Sequence, residues 1–220
     1  MREASILEVW GRRSSANVQK VLWLVGELDL PQRHVPAGGD FGGLDDPEFR
    51  ALNPHGKVPV IRDGALAVWE SHAILRYLAA THGADQFWAA EPAVRAPVDA
   101  WMDWAQTALQ PAFLGGVFWG FYRTPPAQRD GSAIAAALDR THRLLGLVEA
   151  RLAGRTFVTG ETLSLADIAI GTHLYRYFEL DIDRPAMPRL EAWYERLATR
   201  PAYREHVMVP FAELEGRLAF

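Results

Sequence analysis

Residues 53–74, with the sequence NPHGKVPVIRDGALAVWESHAI, predict a β-hairpin that leads directly into a helix. Two apolar runs, 58–61 and 66–69, flank a segment containing Asp63–Gly64, and an Asp–Gly pair suits a tight hairpin turn. Ser71 follows the second run and is a good helix N-cap, because its hydroxyl can accept from a free N–H of the first turn. We therefore expect strand, turn, strand and helix in this order.

Upstream of the hairpin, the pattern alternates between strand and helix once more. Residues 6–10 form a short apolar strand candidate, and the apolar positions of 18–28 recur with helical spacing. A second strand is predicted at 32–36, and a glycine-rich loop follows at 37–54, with one helical turn near 48–52. The first part of the chain is thus predicted to be an α/β domain with the order βαβ-α-ββα.

Downstream of the hairpin, only helical patterns remain. The predicted helices cover 97–109 with a continuation past Pro111, 132–152, 164–178 and 187–199. We therefore predict an α/β domain at 1–83, a linker at 84–91 and an all-α domain at 92–220.

The composition is that of an ordinary globular protein and excludes several kinds of site. Of the 220 residues, 49% are hydrophobic and 23% are charged, and the net charge of −4 provides no general attraction for nucleic acid. The absence of cysteine excludes disulfides, thiolate–zinc sites and a cysteine nucleophile. Residues 1–13 lack the apolar core of a signal peptide, and the apolar segment 112–122 is too short to cross a membrane. We expect a cytoplasmic protein without nucleic-acid or membrane partners.

Val58–Pro59, at the start of the hairpin, is the first candidate for ligand binding. Pro59 cannot donate a hydrogen bond to a neighbouring strand, so it belongs at an edge, at a first position or in a special geometry. A cis bond before Pro59 would turn the backbone N–H and C=O of Val58 outward, where they could pair with an extended, peptide-like ligand. The alternative is an ordinary edge proline.

Glu70 and Ser71, at the start of the helix after the hairpin, are the second candidate. The N-terminus of a helix presents unpaired N–H groups and a partial positive charge, which favour a ligand carboxylate. Glu70 could accept a hydrogen bond from a ligand ammonium group. The alternative is a simple cap beside an exposed acid.

Ser14, Ser15 and Asn17, just before the first predicted helix, are the third candidate. A hydroxyl at this point can donate to an anion, and the helix dipole adds to the stabilisation. Such donors favour a thiolate, so the pKa of a bound thiol would fall. Taken alone, these residues could equally be helix caps.

Together, the three segments resemble the thioredoxin-like N-terminal domain of the cytosolic glutathione transferases. The resemblance extends from about residue 6 to residue 80 and includes Asn-Pro-x-Gly-x-Val-Pro at 53–59 and Glu-Ser-x-Ala-Ile at 70–74. It implies a thioredoxin-like domain that binds glutathione, an all-helical domain that completes the electrophile site, and a homodimer.

The resemblance continues in the helical part, at residues 159–169. This segment is similar to the capping box and hydrophobic staple of the family. Ser164 would cap a helix, Asp167 would reach back to Ser164, and Leu163 would pack on Ile168.

The family's glutathione contacts can be assigned to individual residues of this chain. The resemblance implies that Val58 pairs through its backbone with the cysteinyl part of glutathione and that Pro59 is cis. Glu70 and Ser71 would hold the γ-glutamyl end, and Lys57 would lie near the glycine carboxylate.

The residue that activates the thiol distinguishes the subclasses of the family. Trp10 stands where tyrosine-type members carry their tyrosine, and the absence of cysteine excludes the cysteine type. Ser15, four residues after Gly11, resembles the serine of the phi- and theta-like members. We therefore predict Ser15 as the activating residue, with Ser14 as the alternative and Asn17 as a third candidate.

Aromatic residues of the helical domain are expected to contact the electrophile, because in the family the helix after the linker lines that site. The candidates are Trp101, Trp104, Phe113, Phe118, Trp119 and Tyr122. The alternative, that they form the helix core, explains most of them.

One departure from the family concerns the glycine end of glutathione. Plant phi members hold it with a histidine–lysine pair, but the corresponding segment here, 37–43, is AGGDFGG. His34 and His55 are candidate substitutes, although we expect both to be solvated. None of the histidines has the spacing of a zinc site, so no metal is predicted.

The predicted function is that of a detoxifying glutathione transferase, which activates glutathione as a thiolate for attack on a hydrophobic electrophile. Two alternatives stay open at this point. The same site could catalyse glutathione-dependent peroxidase, isomerase or dehalogenase chemistry, or the protein could be a non-catalytic glutathione-binding or assembly module.

Overall fold

The computed structural model describes residues 6–218, and these residues form two compact units. The first unit comprises 6–84 and 202–209, and the second comprises 85–201 and 210–218. Residues 1–5 and 219–220, at the outer ends of the two predicted domains, lie outside the described residues.

The first unit is a four-stranded mixed sheet with three helices. Its elements are β1 (Leu7–Trp10), α1 (Ala16–Glu27), β2 (Gln32–Val35), α2 (Pro47–Leu52), β3 (Val60–Asp63), β4 (Leu66–Trp69) and α3 (Ser71–His82). The strand order is β2-β1-β3-β4, with β1 parallel to β2 and the other pairs antiparallel. The predicted thioredoxin-like order is therefore confirmed. β3 begins at Val60, two residues later than the predicted start, because Pro59 has no N–H for the ladder.

A buried acid joins three neighbouring strands of this sheet. Glu8 on β1 lies opposite Arg33 on β2 and Arg62 on β3, and both guanidinium groups bond to its carboxylate. Trp10 Nε1 also donates to Glu8, at 3.3 Å. Burial alone would raise the pKa of Glu8, but the hydrogen bonds from Arg62, Arg33 and Trp10 lower it to about 2. The ion cluster therefore stabilises the strand order electrostatically.

The second unit is helical, as predicted. Its elements are α5 (Pro92–Trp104), two π-helical segments (Ala105–Leu109 and Pro111–Arg123), α6 (Gly131–Arg151), α7 (Leu165–Gly171), α8 (Leu174–Glu179) and α9 (Pro188–Ala198). Two short helices, α4 (Ala84–Phe87) and α10 (Pro201–His206), span the points at which the chain passes between units. Within residues 6–218, no helix is both long and apolar enough to cross a membrane.

Two helices of this unit differ from the sequence-based expectation. α5 begins at Pro92 rather than at residue 97, because Glu91 caps it by accepting from Ala93 N–H at 3.3 Å, and proline is favoured in the first turn. The predicted helix 164–178 is interrupted after Gly171, where Thr172 Oγ1 donates back to a carbonyl of the preceding turn at 2.7 Å.

Segment 202–209 was predicted to belong to the helical domain, and it packs within the first unit instead. Tyr203 lies edge-on against Trp23 of α1, with 4.7 Å between the ring centroids. Both side chains are completely buried. The aromatic contact explains why this segment joins the first unit.

The start of α7 contains a buried acid with several hydrogen bonds. Asp167 accepts from Ser164 N–H at 2.9 Å, which is the reach-back contact of a capping box. It also accepts from Ser164 Oγ at 2.7 Å and from Val158 N–H at 2.8 Å. Burial raises the pKa of Asp167 to about 6, although these hydrogen bonds lower it in part.

Candidate functional site

The turn before β3 approaches the end of β1 closely at Val58. A Cβ atom added to Gly11 would lie 3.0 Å from Val58 Cβ and 2.4 Å from Val18 Cγ2, and Gly11 has a φ of +143°. Only glycine combines this backbone angle with so close an approach. Gly11 therefore allows Val58 to lie beside the loop between β1 and α1.

Asn53 organises the turn that carries Lys57 and Val58. Its Nδ2 donates to the Lys57 carbonyl at 2.8 Å, and its Oδ1 accepts from His55 N–H at 3.0 Å. Asn53 is buried, whereas Lys57 is exposed and Val58 is half-buried. No role was predicted for Asn53 from the sequence. A signal was available, because asparagine side chains often bond to the backbone N–H two residues later, here that of His55.

The Val58–Pro59 peptide bond is cis, as predicted. β3 pairs with β1 only from Val60 onward. Within residues 6–218, neither the N–H nor the C=O of Val58 pairs with another backbone group. The turn thus presents one donor and one acceptor of the main chain.

The start of α3 combines an unusual backbone with a buried hydroxyl. The N-cap residue is Glu70, whereas Ser71, which was predicted to cap the helix, is the first residue of α3. Glu70 has a φ of +70°, a region that non-glycine residues seldom adopt. Its side chain is exposed, whereas Ser71 is only 2% exposed. Such backbone outliers are concentrated at functional sites, where the surrounding structure holds them.

The two serines before α1 have different surroundings. Ser15 is the N-cap residue of α1 and is half-buried, and its side chain makes no capping hydrogen bond within the described part of the chain. Ser14 is only 5% exposed. Asn17, in the first turn, is half-buried, and its Oδ1 lies 3.5 Å from Ser71 Oγ at the start of α3. The starts of α1 and α3 are therefore adjacent.

A buried lysine completes this region. Lys20 of α1 has no exposed surface, and its Nζ donates to Asn17 Oδ1 at 3.1 Å and lies 3.2 Å from His72 Nε2. Burial lowers the pKa of Lys20 to about 7 against the opposing effect of the Glu70 carboxylate. Burial and the positive charges of Lys20 and Arg76 lower the pKa of His72 to about 2.

The contact between Lys20 and His72 was not predicted from the sequence. One signal was available, because Lys20 is one of only two lysines in the chain and lies at a helical position surrounded by apolar residues. Its partner His72 is 52 residues away in the sequence, so no local pattern connects them.

The aromatic candidates of the helical unit fall into two groups. Phe113 and Phe118 are buried in the core, where Phe113 packs edge-on against Tyr177 and Phe118 stacks on Tyr122. Those with exposed surface are Trp101, Trp104, Trp119 and Tyr122. Trp119 is 37% exposed, and its ring lies under the guanidinium of Arg123, 3.8 Å from the ring centroid.

Comparisons with known proteins identify the family. Family models for the N-terminal and C-terminal domains of glutathione S-transferase match residues 10–86 and 101–201. Glutathione S-transferase GstB of Escherichia coli strain K12 is 42% identical over 93% of this chain and 99% of its own length. The chain belongs to the glutathione S-transferase family.

Other members of the glutathione S-transferase family support this assignment. Glutathione S-transferase 4 of Zea mays is 31% identical over 89% of each chain. The crystal structure of the theta class enzyme from Xanthomonas axonopodis pv. citri, with glutathione bound, matches with a TM-score of 0.88 and 45% identity, covering 93% of this chain and 98% of that one.

These similarities confirm the predicted family, the fold class and the general function of a glutathione transferase. They do not favour the alternatives of another glutathione-dependent activity or a non-catalytic module. Among the described residues, no group of three or more His, Cys, Asp or Glu side chains could hold a metal ion.

Of the two histidines considered for the glycine end of glutathione, His55 is exposed, as expected, whereas His34 is half-buried, which corrects the expectation for His34. His34 Nε2 lies 2.6 Å from the Gly11 carbonyl, and burial lowers the pKa of His34. The ring of His55 packs against Trp69, with 5.0 Å between the ring centroids. The His34 ring therefore contacts the backbone at Gly11, whereas the His55 ring contacts the end of β4.

Proposed function

We propose that this transferase binds glutathione in extended form across the first unit and activates its sulfur through Ser15. One observation supports this proposal above all. Three segments with complementary polar groups converge, because Gly11 brings Val58 against the loop before α1 and Asn17 brings the start of α1 against Ser71. Together they offer main-chain pairing, a helix N-terminus with an acid, and a hydroxyl.

The groups of glutathione match these features in order. The cysteinyl part would pair with the backbone N–H and C=O of Val58, since both are unpaired within the described residues. The carboxylate of the γ-glutamyl part would accept hydrogen bonds from the start of α3 at Ser71. The ammonium group of the same part would donate a hydrogen bond to Glu70. The exposed Lys57 would attract the glycine carboxylate.

Ser15 is favoured over Ser14 as the residue that activates the thiol. Its hydroxyl lies at the N-terminus of α1, is half-buried, and is not used as a cap within residues 6–218. A hydrogen bond to the sulfur and the helix dipole both favour the thiolate. A fall of about two pKa units corresponds to about 2.7 kcal/mol, which one charge-assisted bond and a helix terminus can supply.

The chemistry that follows is a nucleophilic attack. The thiolate sulfur forms a bond to an electrophilic carbon, and the leaving group departs with the bonding electron pair. Among the predicted electrophile contacts, the aromatic residues with exposed surface are the stronger candidates: Trp101, Trp104, Trp119 and Tyr122. The homodimer, the cytoplasmic location and the absence of a metal remain predictions.

The matched pair Ser15→Ala and Ser14→Ala tests the assignment. We expect Ser15→Ala to lose most of the conjugating activity, because the thiol of bound glutathione returns toward its ordinary pKa, while glutathione affinity changes little. Ser14→Ala should retain activity. The measurements are turnover with a panel of hydrophobic electrophiles and a titration of thiolate absorbance for bound glutathione.

Two outcomes would contradict the proposal. If Ser14→Ala is inactive and Ser15→Ala is active, the activating residue moves by one position. If the thiol of glutathione bound to the wild-type protein keeps its ordinary pKa, the protein does not activate glutathione in this way.

A further inference from the structure

The buried Lys20 determines how its two neighbours present their polar atoms. An ammonium group only donates hydrogen bonds. Asn17 must therefore turn its Oδ1 toward Lys20 Nζ, at 3.1 Å, so that its Nδ2 donor faces away from the lysine. His72 must accept through Nε2, at 3.2 Å, and as a neutral imidazole it carries its proton on Nδ1.

These two neighbours belong to the two helix starts that we assign to glutathione. Asn17 lies two residues after Ser15, at the sulfur end, and its Oδ1 also lies 3.5 Å from Ser71 Oγ. His72 directly follows Ser71, at the γ-glutamyl end. The charge of Glu70 acts on Lys20 as well. Lys20 thus contacts one residue at the start of α1, Asn17, and one residue at the start of α3, His72.

We infer that Lys20 is a positioning residue for glutathione, which acts by orienting the Asn17 amide and by holding the start of α1 against the start of α3. The inference rests on the proposed function. Lys20 itself has no exposed surface and does not touch the ligand directly. Its effect reaches glutathione through the Nδ2 donor of Asn17 and through the position of Ser71.

Stability alone does not explain a lysine at this position. Moving an ammonium group out of water is unfavourable, and an apolar side chain of similar length would fill the same space without that cost. Several neighbouring residues of α1 are apolar and have no exposed surface, among them Val21 and Leu24. A charge kept in such surroundings indicates a role in function.

Replacing Lys20 by methionine tests the inference, because methionine has a similar length and neither charge nor donor. We expect Lys20→Met to raise the KM for glutathione and its dissociation constant about tenfold, the effect of losing one charged hydrogen bond. The KM for the electrophile should not change. Leu24→Met, one turn later on α1, is the matched control and should leave both KM values unchanged.

A double-mutant cycle with Asn17→Ala tests the route of the effect. If Lys20 acts through Asn17, the double variant should bind glutathione no more weakly than the weaker of the two single variants. Multiplied effects in the double variant would overturn this route. A lowered unfolding midpoint in Lys20→Met together with equal losses for both substrates would identify a merely structural residue and would also overturn the inference.

Failure of this inference can be distinguished from failure of the proposed function. If the wild-type protein binds glutathione and Lys20→Met binds it equally well, the role of Lys20 is wrong and the proposed function stands. If the wild-type protein itself does not bind glutathione, the proposed function is wrong and the inference falls with it.

Discussion

Lys20 in the first unit and Asp167 in the second are both ionisable side chains without exposed surface, but their surroundings differ. Asp167 accepts from Val158 N–H and from the N–H and hydroxyl of Ser164, all within nine residues of the sequence. Lys20 is held by Asn17 and by His72, which is 52 residues away. One cluster closes a local turn, whereas the other joins two helices.

The difference between the two clusters separates a stabilising role from a functional one. The acceptor oxygens of Asp167 satisfy donors that would otherwise be buried without a partner, so the acid contributes to folding. Lys20 donates to groups that lie beside the proposed glutathione site, and its own burial is unfavourable. Burial of an ionisable side chain therefore does not show by itself whether its role is in stability or in function. The partners of the side chain distinguish the two roles.

The largest expected effect comes from breaking the cluster of Asp167. Asp167→Ala should lower the free energy of unfolding by about 3 kcal/mol, because two backbone N–H groups and one hydroxyl lose their acceptor in a buried place. Urea denaturation measures this difference. The matched control is Glu161→Ala, which removes an exposed acid of the same loop that accepts from Thr156 Oγ1, at 2.7 Å.

The control variant should change the free energy of unfolding by no more than about 0.5 kcal/mol. A loss for Asp167→Ala that is as small as the loss for Glu161→Ala would show that the capping box contributes little. Asp167 belongs to the helical unit, whereas the residues assigned to glutathione belong to the first unit, so we expect the affinity of the folded fraction for glutathione not to change.

The same contrast explains how much could be predicted from the sequence. The contact between Asp167 and Ser164 was implied by the resemblance of residues 159–169 to the family's capping box, and the cis bond before Pro59 was implied by the resemblance of residues 53–59 to a family motif. Both motifs are short and local in the sequence. The contact of Lys20 with His72 depends on how α1 and α3 pack, which no local pattern records.

Helix ends and long-range packing were predicted less well for a similar reason. The interruption at Thr172 depends on a hydroxyl that bonds to the preceding turn, and threonine also occurs in uninterrupted helices. The packing of Tyr203 on Trp23 joins the end of the chain to α1, although the composition of 202–209 resembles that of any short helix. Local sequence signals predict the order of the helices and strands, but they do not predict which of these elements pack against each other.

The pH dependence of stability should distinguish the two buried groups. The folded-state pKa of Asp167 is raised to about 6, so Asp167 binds more protons in the folded protein than in the unfolded chain, and its own contribution to stability falls as the pH rises from about 4 to about 6. The folded-state pKa of Lys20 is lowered to about 7, so the unfolded chain binds more protons above pH 7. Stability therefore rises with pH in that range, by at most about 1.4 kcal/mol per pH unit.

The contribution of one group to the pH dependence of stability is isolated by comparing the wild type with a variant in which that group cannot titrate. The difference in unfolding free energy between the wild type and Lys20→Met should increase in favour of the wild type from about pH 7 to about pH 9. His72 does not contribute in this range, because its pKa is about 2, and Arg76 stays charged throughout. A difference that is constant with pH would mean that Lys20 keeps its ordinary pKa in the folded protein.

The smallest expected effect comes from the edge of the Asp167 cluster. Thr159 is half-buried and donates through Oγ1 to Ser164 Oγ at 3.0 Å. Thr159→Val keeps the shape and removes this bond, so it should lower the free energy of unfolding by about 0.5 to 1 kcal/mol, measurable by urea denaturation. Ser164 keeps its bonds to Asp167, so the larger part of the cluster remains. If Thr159→Val lowers the free energy of unfolding as much as Asp167→Ala does, the hydrogen bonds of the cluster are cooperative. The contribution of Thr159 would then not be a small addition to that of Asp167.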